Sequence, residues 1–109
     1  MTRSSETAPV ADGDLVSTDD MTAALTARPL VFTDGSTQTF TADGRTTYVE
    51  GGRPTQGQWS AIENGKFSSF WPPDYRATYT LRWVVEGAAP VGLTFIEGAS
   101  GRRFEGRYQ

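Results

Sequence analysis

The chain of 109 residues contains no cysteine and no histidine. It therefore cannot form a disulfide, a Ser-His-Asp or Cys-His nucleophile, or a zinc site built from nitrogen and sulfur ligands. An iron–sulfur cluster and a haem with a His or Cys axial ligand are excluded for the same reason. We expect no metal and no cofactor, and the sequence assigns a catalytic role to no residue.

Long apolar runs are also lacking. Residues 1–8 contain no apolar core of the length that a secretory signal peptide needs. No later run approaches the roughly 18 apolar residues of a membrane-spanning helix. The absence of cysteine fits a reducing compartment. We therefore expect a cytoplasmic protein that does not act at a membrane.

Positive charge is scarce, and much of the acidic charge lies in one segment. Residues 1–20 carry five acidic side chains and one arginine, whereas residues 21–109 carry nine Lys+Arg and eight Asp+Glu. Lys66 is the only lysine in this nearly neutral body. Such a surface lacks the basic field that binds a phosphate backbone. We expect no nucleic-acid partner, and the sequence leaves the oligomeric state open.

The length of the chain is that of one domain, since about 100 to 150 residues is the usual domain size. Residues 1–16 are small, polar and aperiodic, which predicts a flexible acidic arm. Residues 17–109 then form a single domain that begins with a short helix at about 19–27, capped by Ser17 or Thr18. Two turns are too short to be stable alone, so we expect this helix to close one end of the domain.

After the helix, short β-rich runs with alternating polarity follow one another at regular spacing. The candidate strands are 30–33, 37–41, 46–50, 56–62, 67–71, 76–86, 91–97 and 102–108. Asp34-Gly35, Asp43-Gly44 and Asn64-Gly65 are turn pairs that tolerate the positive φ of tight hairpins. The pattern predicts an all-β fold, a small antiparallel up-and-down barrel of seven to eight strands, because closure hides the sheet edges. A sandwich is the less favoured alternative.

The run 76–86 has the clearest alternation. Ala77, Tyr79, Leu81, Trp83 and Val85 share one face, which we expect to point inward. The intervening residues are polar or charged for most of the run and are expected to face solvent. This strand therefore predicts one apolar face for the barrel interior.

Four features give a resemblance to a known architecture. Gly57-Gln58-Trp59 lies in a strand, a hairpin turn follows at Asn64-Gly65, the next strand ends in Phe70-Trp71, and residues 104–108 close the chain. This order, across residues 30–108, resembles the calycin-type barrels of the lipocalin and streptavidin-like superfamily, in particular bacterial lipocalin-like domains. The resemblance implies a lipocalin-like barrel that holds a small apolar ligand.

The aromatic side chains of the strands are the candidate ligand-binding residues, because rings on a barrel interior can line an apolar pocket. They are Trp59, Trp71, Tyr75, Tyr79, Trp83, Phe95 and Phe104. The first hypothesis is therefore a barrel that binds a small apolar or aromatic ligand. The second is a filled barrel that acts as a protein-interaction or structural module, with the same rings as core. A cavity of roughly 300 Å³ or more would distinguish the first from the second.

A third hypothesis is a cofactor-free lyase or isomerase. Such chemistry needs an arginine to hold a carboxylate and a glutamate or tyrosine to move a proton. The residues that could supply these groups are Arg76, Arg82, Tyr79, Tyr48, Glu50 and Glu86. The hypothesis requires an arginine and a glutamate or tyrosine inside the cavity, although Arg82 and Glu86 fall on the expected outer face.

Overall fold

The computed structural model describes residues 10–109 and shows a closed barrel of eight antiparallel strands in sequential order. One helix, α1 (Thr18–Thr26), precedes the strands. The strands are β1 (Leu30–Phe32), β2 (Thr37–Phe40), β3 (Arg45–Glu50), β4 (Arg53–Ile62), β5 (Lys66–Trp71), β6 (Tyr75–Glu86), β7 (Ala89–Glu97) and β8 (Arg103–Tyr108). The predicted all-β, up-and-down barrel with a short N-terminal helix is confirmed.

The hairpin connections follow from local turn chemistry. Between β4 and β5, Asn64 and Gly65 have φ values of 66° and 70°. Ile62 pairs with Lys66, so the turn contains three residues, and asparagine and glycine are the residue types that tolerate positive φ there. In a barrel whose antiparallel strands follow one another in sequence, each turn lies at the opposite end from the turn before it. The β1–β2 turn and the β4–β5 turn therefore lie at opposite ends.

Strand β6 is the longest strand and shows the predicted alternation over most of its length. Tyr79, Leu81 and Trp83 pack on or in the hydrophobic core. The pairing with β7 then shifts register between Val84 and Val85. Val84, before this shift, is buried, and Val85, after it, is half-buried, as Tyr79 and Trp83 are. The bulge thus interrupts the regular alternation at this end of β6.

Helix α1 begins where the sequence predicts and has an ordinary N-cap. The Ser17 side chain accepts a hydrogen bond of 3.2 Å from the Asp20 backbone N–H. Acidic side chains in the first turn, Asp19 and Asp20, lie near the positive end of the helix dipole. Within residues 10–109 no helix is long and apolar enough to cross a membrane.

The helix closes one end of the barrel through both apolar packing and hydrogen bonds. Met21 and Leu25 are fully buried in the core. The Tyr108 hydroxyl donates a hydrogen bond of 2.6 Å to the Ala24 carbonyl. At the other side of the helix, the Thr18 hydroxyl donates to the Ile62 carbonyl at 2.7 Å. The helix is thereby fixed to both β8 and the β4–β5 hairpin.

The end of the expected acidic arm is paired with the sheet. Strand β5 begins opposite Thr80, so the part of β6 beyond Thr80 has no β5 partner. Residues 13–16 take that place: the Val16 N–H donates to the Leu81 carbonyl at 2.9 Å, and the Trp83 N–H donates to the Asp14 carbonyl at 2.8 Å. The expectation of a flexible arm over 1–16 thus differs from the structure at 13–16, while residues 1–9 lie outside the described residues.

Replacing Leu25 with alanine tests how far the barrel depends on the docked helix. We expect Leu25→Ala to lower the free energy of unfolding by about 2–5 kcal/mol, because it leaves a cavity in a fully buried cluster. Urea denaturation followed by circular dichroism measures this loss. Thr22→Ala, at an exposed position of the same helix, is the control and should change stability by less than about 0.5 kcal/mol. Equal losses in the two variants would contradict this role of the helix.

Candidate functional site

A cavity of about 340 Å³ lies at the end of the barrel opposite α1, beside the β1–β2 turn. Its lining comes from strands all round the barrel. The apolar and aromatic residues are Phe32, Tyr48, Phe67, Trp71, Tyr79, Phe95 and Phe104. The polar and charged residues are Thr33, Asp34, Ser36, Gln38, Ser69, Arg103 and Glu105.

The cavity opens where β8 extends beyond β1. The last residue of β1, Phe32, pairs with Gly106, so residues 103–105 of β8 have no β1 partner. The β1–β2 turn, with Thr33 and Asp34, lies at this gap and lines the cavity together with Arg103 and Glu105. The opening therefore has charges of both signs at its rim.

One wall of the cavity is a continuous aromatic network. The ring centroids of Phe67 and Phe95 are 5.5 Å apart, and those of Phe32 and Phe95 are 5.8 Å apart. Tyr79 extends the network to Phe104, with 6.4 Å between the centroids. These tilted and edge-to-face contacts are the favourable arrangements for aromatic pairs. They hold the rings against one another and leave their inner surfaces facing the cavity.

The Trp71 indole lies close to the backbone of β4 because the residue there is glycine. A Cβ atom added to Gly57 would lie 2.5 Å from the indole Cε3 of Trp71. The Trp71 ring also makes an edge contact with Tyr48, with centroids 6.3 Å apart. The missing side chain of Gly57 thus lets the indole line the wall of the cavity instead of filling it.

Buried polar side chains form the other part of the lining, and the sequence analysis did not identify them. The Gln38 amide nitrogen donates to the Thr46 hydroxyl at 2.9 Å, and Thr46 donates to the Thr39 carbonyl at 2.8 Å. Because the Thr46 proton is engaged, it must accept from Gln38, which orients the amide. The Ser69 hydroxyl is buried and has no hydrogen-bond partner in the described structure.

A sequence signal for these residues does exist. Gln38 is in phase with Phe40 on β2, and Ser69 lies between Phe67 and Trp71 at inward positions of β5. The period of two therefore places each polar residue on an apolar face.

Ionisable groups at the cavity differ between rim and interior. At the rim, a hydrogen bond from the Ser36 hydroxyl, 2.6 Å long, and one from the Ser36 backbone hold the pKa of Asp34 below its usual value. In the interior, burial raises the pKa of Tyr79 to about 12. The Tyr79 hydroxyl is therefore neutral across the physiological range.

Four of the seven predicted ligand-binding residues line the cavity. They are Trp71, Tyr79, Phe95 and Phe104. The other three lie elsewhere. Trp59 is buried against Phe67 and donates its indole N–H to the Thr41 carbonyl at 3.0 Å, and Trp83 packs on the core outside the cavity lining. Tyr75 is 53% exposed, with its hydroxyl 3.3 Å from a Glu97 carboxylate oxygen.

The residues considered for acid–base catalysis do not come together. Only Tyr48 and Tyr79 among them line the cavity. Arg82 and Glu86 are exposed, and a hydrogen bond from Arg107 lowers the pKa of Glu86. Arg76 lies over the outer ring face of Phe70, 4.3 Å from its centroid. Of the residues proposed for a lyase or isomerase, the cavity thus holds neither an arginine nor a glutamate.

A second cleft, of about 360 Å³, lies on the outer face of strands β3 to β6. It is open and mostly polar, with Arg45, Gln58 and Ser60 along it. The described part of the chain contains no group of three or more metal-ligating side chains. The aromatic cavity, which lies inside the barrel, is therefore taken as the candidate site.

Comparison with protein-family models finds no matching family, and comparison with curated proteins and with solved structures finds no match either. The closed barrel of eight antiparallel strands is compatible with a calycin-like fold. The likeness is one of architecture, which does not determine function. The site is therefore interpreted from its own geometry.

Gly57→Ala tests whether the absence of a side chain at Gly57 allows the Trp71 indole to pack against β4. The added methyl group would overlap the indole, so we expect Trp71 to move and the free energy of unfolding to fall by about 1–3 kcal/mol. Near-ultraviolet circular dichroism and denaturation measure the two effects. The control is Gly98→Ala, whose Cβ would make an ordinary contact of 3.5 Å with the Thr78 carbonyl. An unchanged aromatic spectrum in Gly57→Ala would contradict the packing described here.

Two tyrosines give the barrel a specific sensitivity to alkaline pH. Burial raises the pKa of both Tyr79 and Tyr108 to about 12, whereas an unfolded tyrosine ionises near pH 10. Between these values the unfolded state loses protons first, so stability falls as the pH rises from about 10 to 12. We expect Tyr79→Phe and Tyr108→Phe each to make this fall less steep, measured by denaturation at several pH values.

The two variants should differ at neutral pH. Tyr108→Phe loses the hydrogen bond to the Ala24 carbonyl and should cost about 1 kcal/mol. The Tyr79 hydroxyl has no such bond to the residues described, and Tyr79→Phe should be close to wild type. An alkaline transition as steep as that of the wild type in both variants would contradict the raised pKa values.

Proposed function

We propose that this barrel binds a small apolar or aromatic ligand in the cavity at the end opposite α1. The observation that carries the proposal is the cavity itself, about 340 Å³ in volume and lined mainly by aromatic rings. This volume lies within the range of small-molecule pockets, which is roughly 300–1,000 Å³. A largely apolar lining with a few polar groups is also typical of such pockets.

The contrast between the two ends of the barrel supports this proposal. The end covered by α1 is filled, with Met21, Leu30, Leu81 and Leu93 fully buried. An eight-stranded barrel is only just wide enough for its own side chains, so filling is the ordinary outcome. At the other end, Gly57, Ser36 and Ser69 occupy buried positions where larger residues would take up space. Their small size keeps that end open.

The proposal also includes the superfamily and the location of the protein. Membership of the lipocalin and streptavidin-like superfamily and a cytoplasmic location agree with a closed barrel of this kind and with the lack of cysteine. The alternative of a protein-interaction module needs a filled barrel, and the open cavity counts against it. Of the residues considered for a lyase or isomerase, only Tyr48 and Tyr79 line the cavity.

Titration with N-phenyl-1-naphthylamine, a neutral aromatic dye that fluoresces in apolar surroundings, tests the proposal. We expect saturable dye emission at micromolar concentration, with energy transfer from tryptophan because Trp71 lines the cavity. Phe104→Ala removes part of the aromatic wall and should weaken binding about tenfold or more. Thermal melts would establish that each variant is folded at the temperature of the titration.

Tyr75→Ala is the matched control, because it removes an exposed aromatic ring outside the cavity. This variant should bind the dye as the wild type does. Absence of saturable binding in a protein with a cooperative melt would overturn the proposal and favour the interaction module. Equal weakening by Tyr75→Ala and Phe104→Ala would show that the dye binds the outer surface instead.

A further inference from the structure

Building on the proposed function, we infer that the ligand is a neutral planar aromatic molecule carrying a hydroxyl or carbonyl group, which it turns toward Gln38 and Ser69. The cavity lining is divided: rings from β5 to β8 form an aromatic wall, while Gln38 and Ser69 add hydrogen-bonding groups from β2 and β5. A ligand that fits both parts needs a flat apolar body with a polar group at one edge. Phenols and hydroxylated or oxo-substituted ring systems are molecules of this class.

Ser69 supplies the first observation for the polar group. Its side chain is 3% exposed, lines the cavity, and has a hydroxyl with no hydrogen-bond partner in the described structure. A buried polar atom without a partner costs free energy, and nearly all such atoms in folded proteins are satisfied. Rotation about a single bond changes the direction of a serine hydroxyl. A ligand oxygen in the cavity could therefore supply the missing partner.

Gln38 supplies a second observation on another strand. Its amide nitrogen is engaged by Thr46 at 2.9 Å, and this bond orients the amide as described above. The amide oxygen has no hydrogen bond to any residue from 10 to 109. An amide oxygen accepts from a donor such as a ligand hydroxyl. Gln38 and Ser69 together thus suit a group that both donates and accepts.

The placement of charge in the lining favours a ligand group that is uncharged beside Gln38 and Ser69. The charged residues that line the cavity are Asp34, Arg103 and Glu105, all from the segments that flank the opening. The one cation of the lining, Arg103, is exposed, whereas Gln38 and Ser69 are buried, and burying an unpaired charge is costly. A charged substituent on the ligand would have to remain at the rim.

The test compares 2-naphthol with 2-methylnaphthalene, which replaces the hydroxyl with a methyl group of similar size, and with 2-naphthoate, which carries a charge. Affinities come from displacement of the bound dye. We expect the wild type to bind 2-naphthol about tenfold more tightly than 2-methylnaphthalene, as one added hydrogen bond implies, and to bind 2-naphthoate most weakly. Ser69→Ala and Gln38→Met should each reduce the preference for 2-naphthol.

Ser69→Ala has a second readout that a purely structural serine would not give. Because the hydroxyl has no hydrogen-bond partner among the described residues, removing it should not lower the melting temperature of the free protein, while the preference for 2-naphthol falls. The controls are Ser68→Ala, the neighbouring serine of β5, and Gln56→Met, an exposed glutamine. Neither lines the cavity, and both should keep the preference.

Each other outcome has a separate meaning. Equal binding of 2-naphthol and 2-methylnaphthalene would overturn this inference while leaving the proposed binding function in place. Tighter binding of 2-naphthoate would overturn the requirement for a neutral ligand. A preference for 2-naphthol that survives in both Ser69→Ala and Gln38→Met would remove these residues from the site. If neither the dye nor any probe binds, the proposed function and the inference both fail.

Discussion

The barrel depends on a short seam between its first and last strands. Three residues of β1 pair with β8, and these pairs are Leu30 with Tyr108, Val31 with Arg107 and Phe32 with Gly106. A Cβ atom at Gly106 would lie only 3.1 Å from the Phe32 ring and 3.2 Å from the Leu30 Cβ. Glycine therefore allows the two strands to approach closely. Because β1 ends after three residues, the same seam closes the barrel beside α1 and leaves it open at the other end.

The seam also separates the part of the barrel that stabilises the fold from the part that forms the cavity. Beside α1, the side chains of Val16, Met21, Leu25 and Leu81 are removed from water, which is the main favourable contribution to folding. Beyond them Phe67 both belongs to the core and lines the cavity. The filled end can thus supply most of the stability, while the open end tolerates empty space.

The sequence predicts the strands well and their packing less well. Alternation of polar and apolar residues is a local property, so the eight strands, their hairpins and the inward face of β6 up to Trp83 follow from it. The position of an inward ring along the barrel axis depends on the tilt and stagger of all the strands, which are properties of the whole barrel. For this reason Trp59 and Trp83, although both inward, lie outside the cavity that Trp71 lines. The pairing of residues 13–16 was missed because two apolar residues, Leu15 and Val16, are too short a run to show a periodic pattern.

The polar residues of the cavity show why a composition-based reading of a small barrel is incomplete. An inward glutamine or serine looks like a minor interruption of an apolar face, yet Gln38 and Ser69 both line the cavity. For stability alone an apolar residue would serve better at Ser69, since its hydroxyl is buried without a partner. Residues that lower stability at enclosed positions are commonly found at functional sites. Polar side chains in phase with aromatic ones are therefore the sequence feature that best locates the site in this chain.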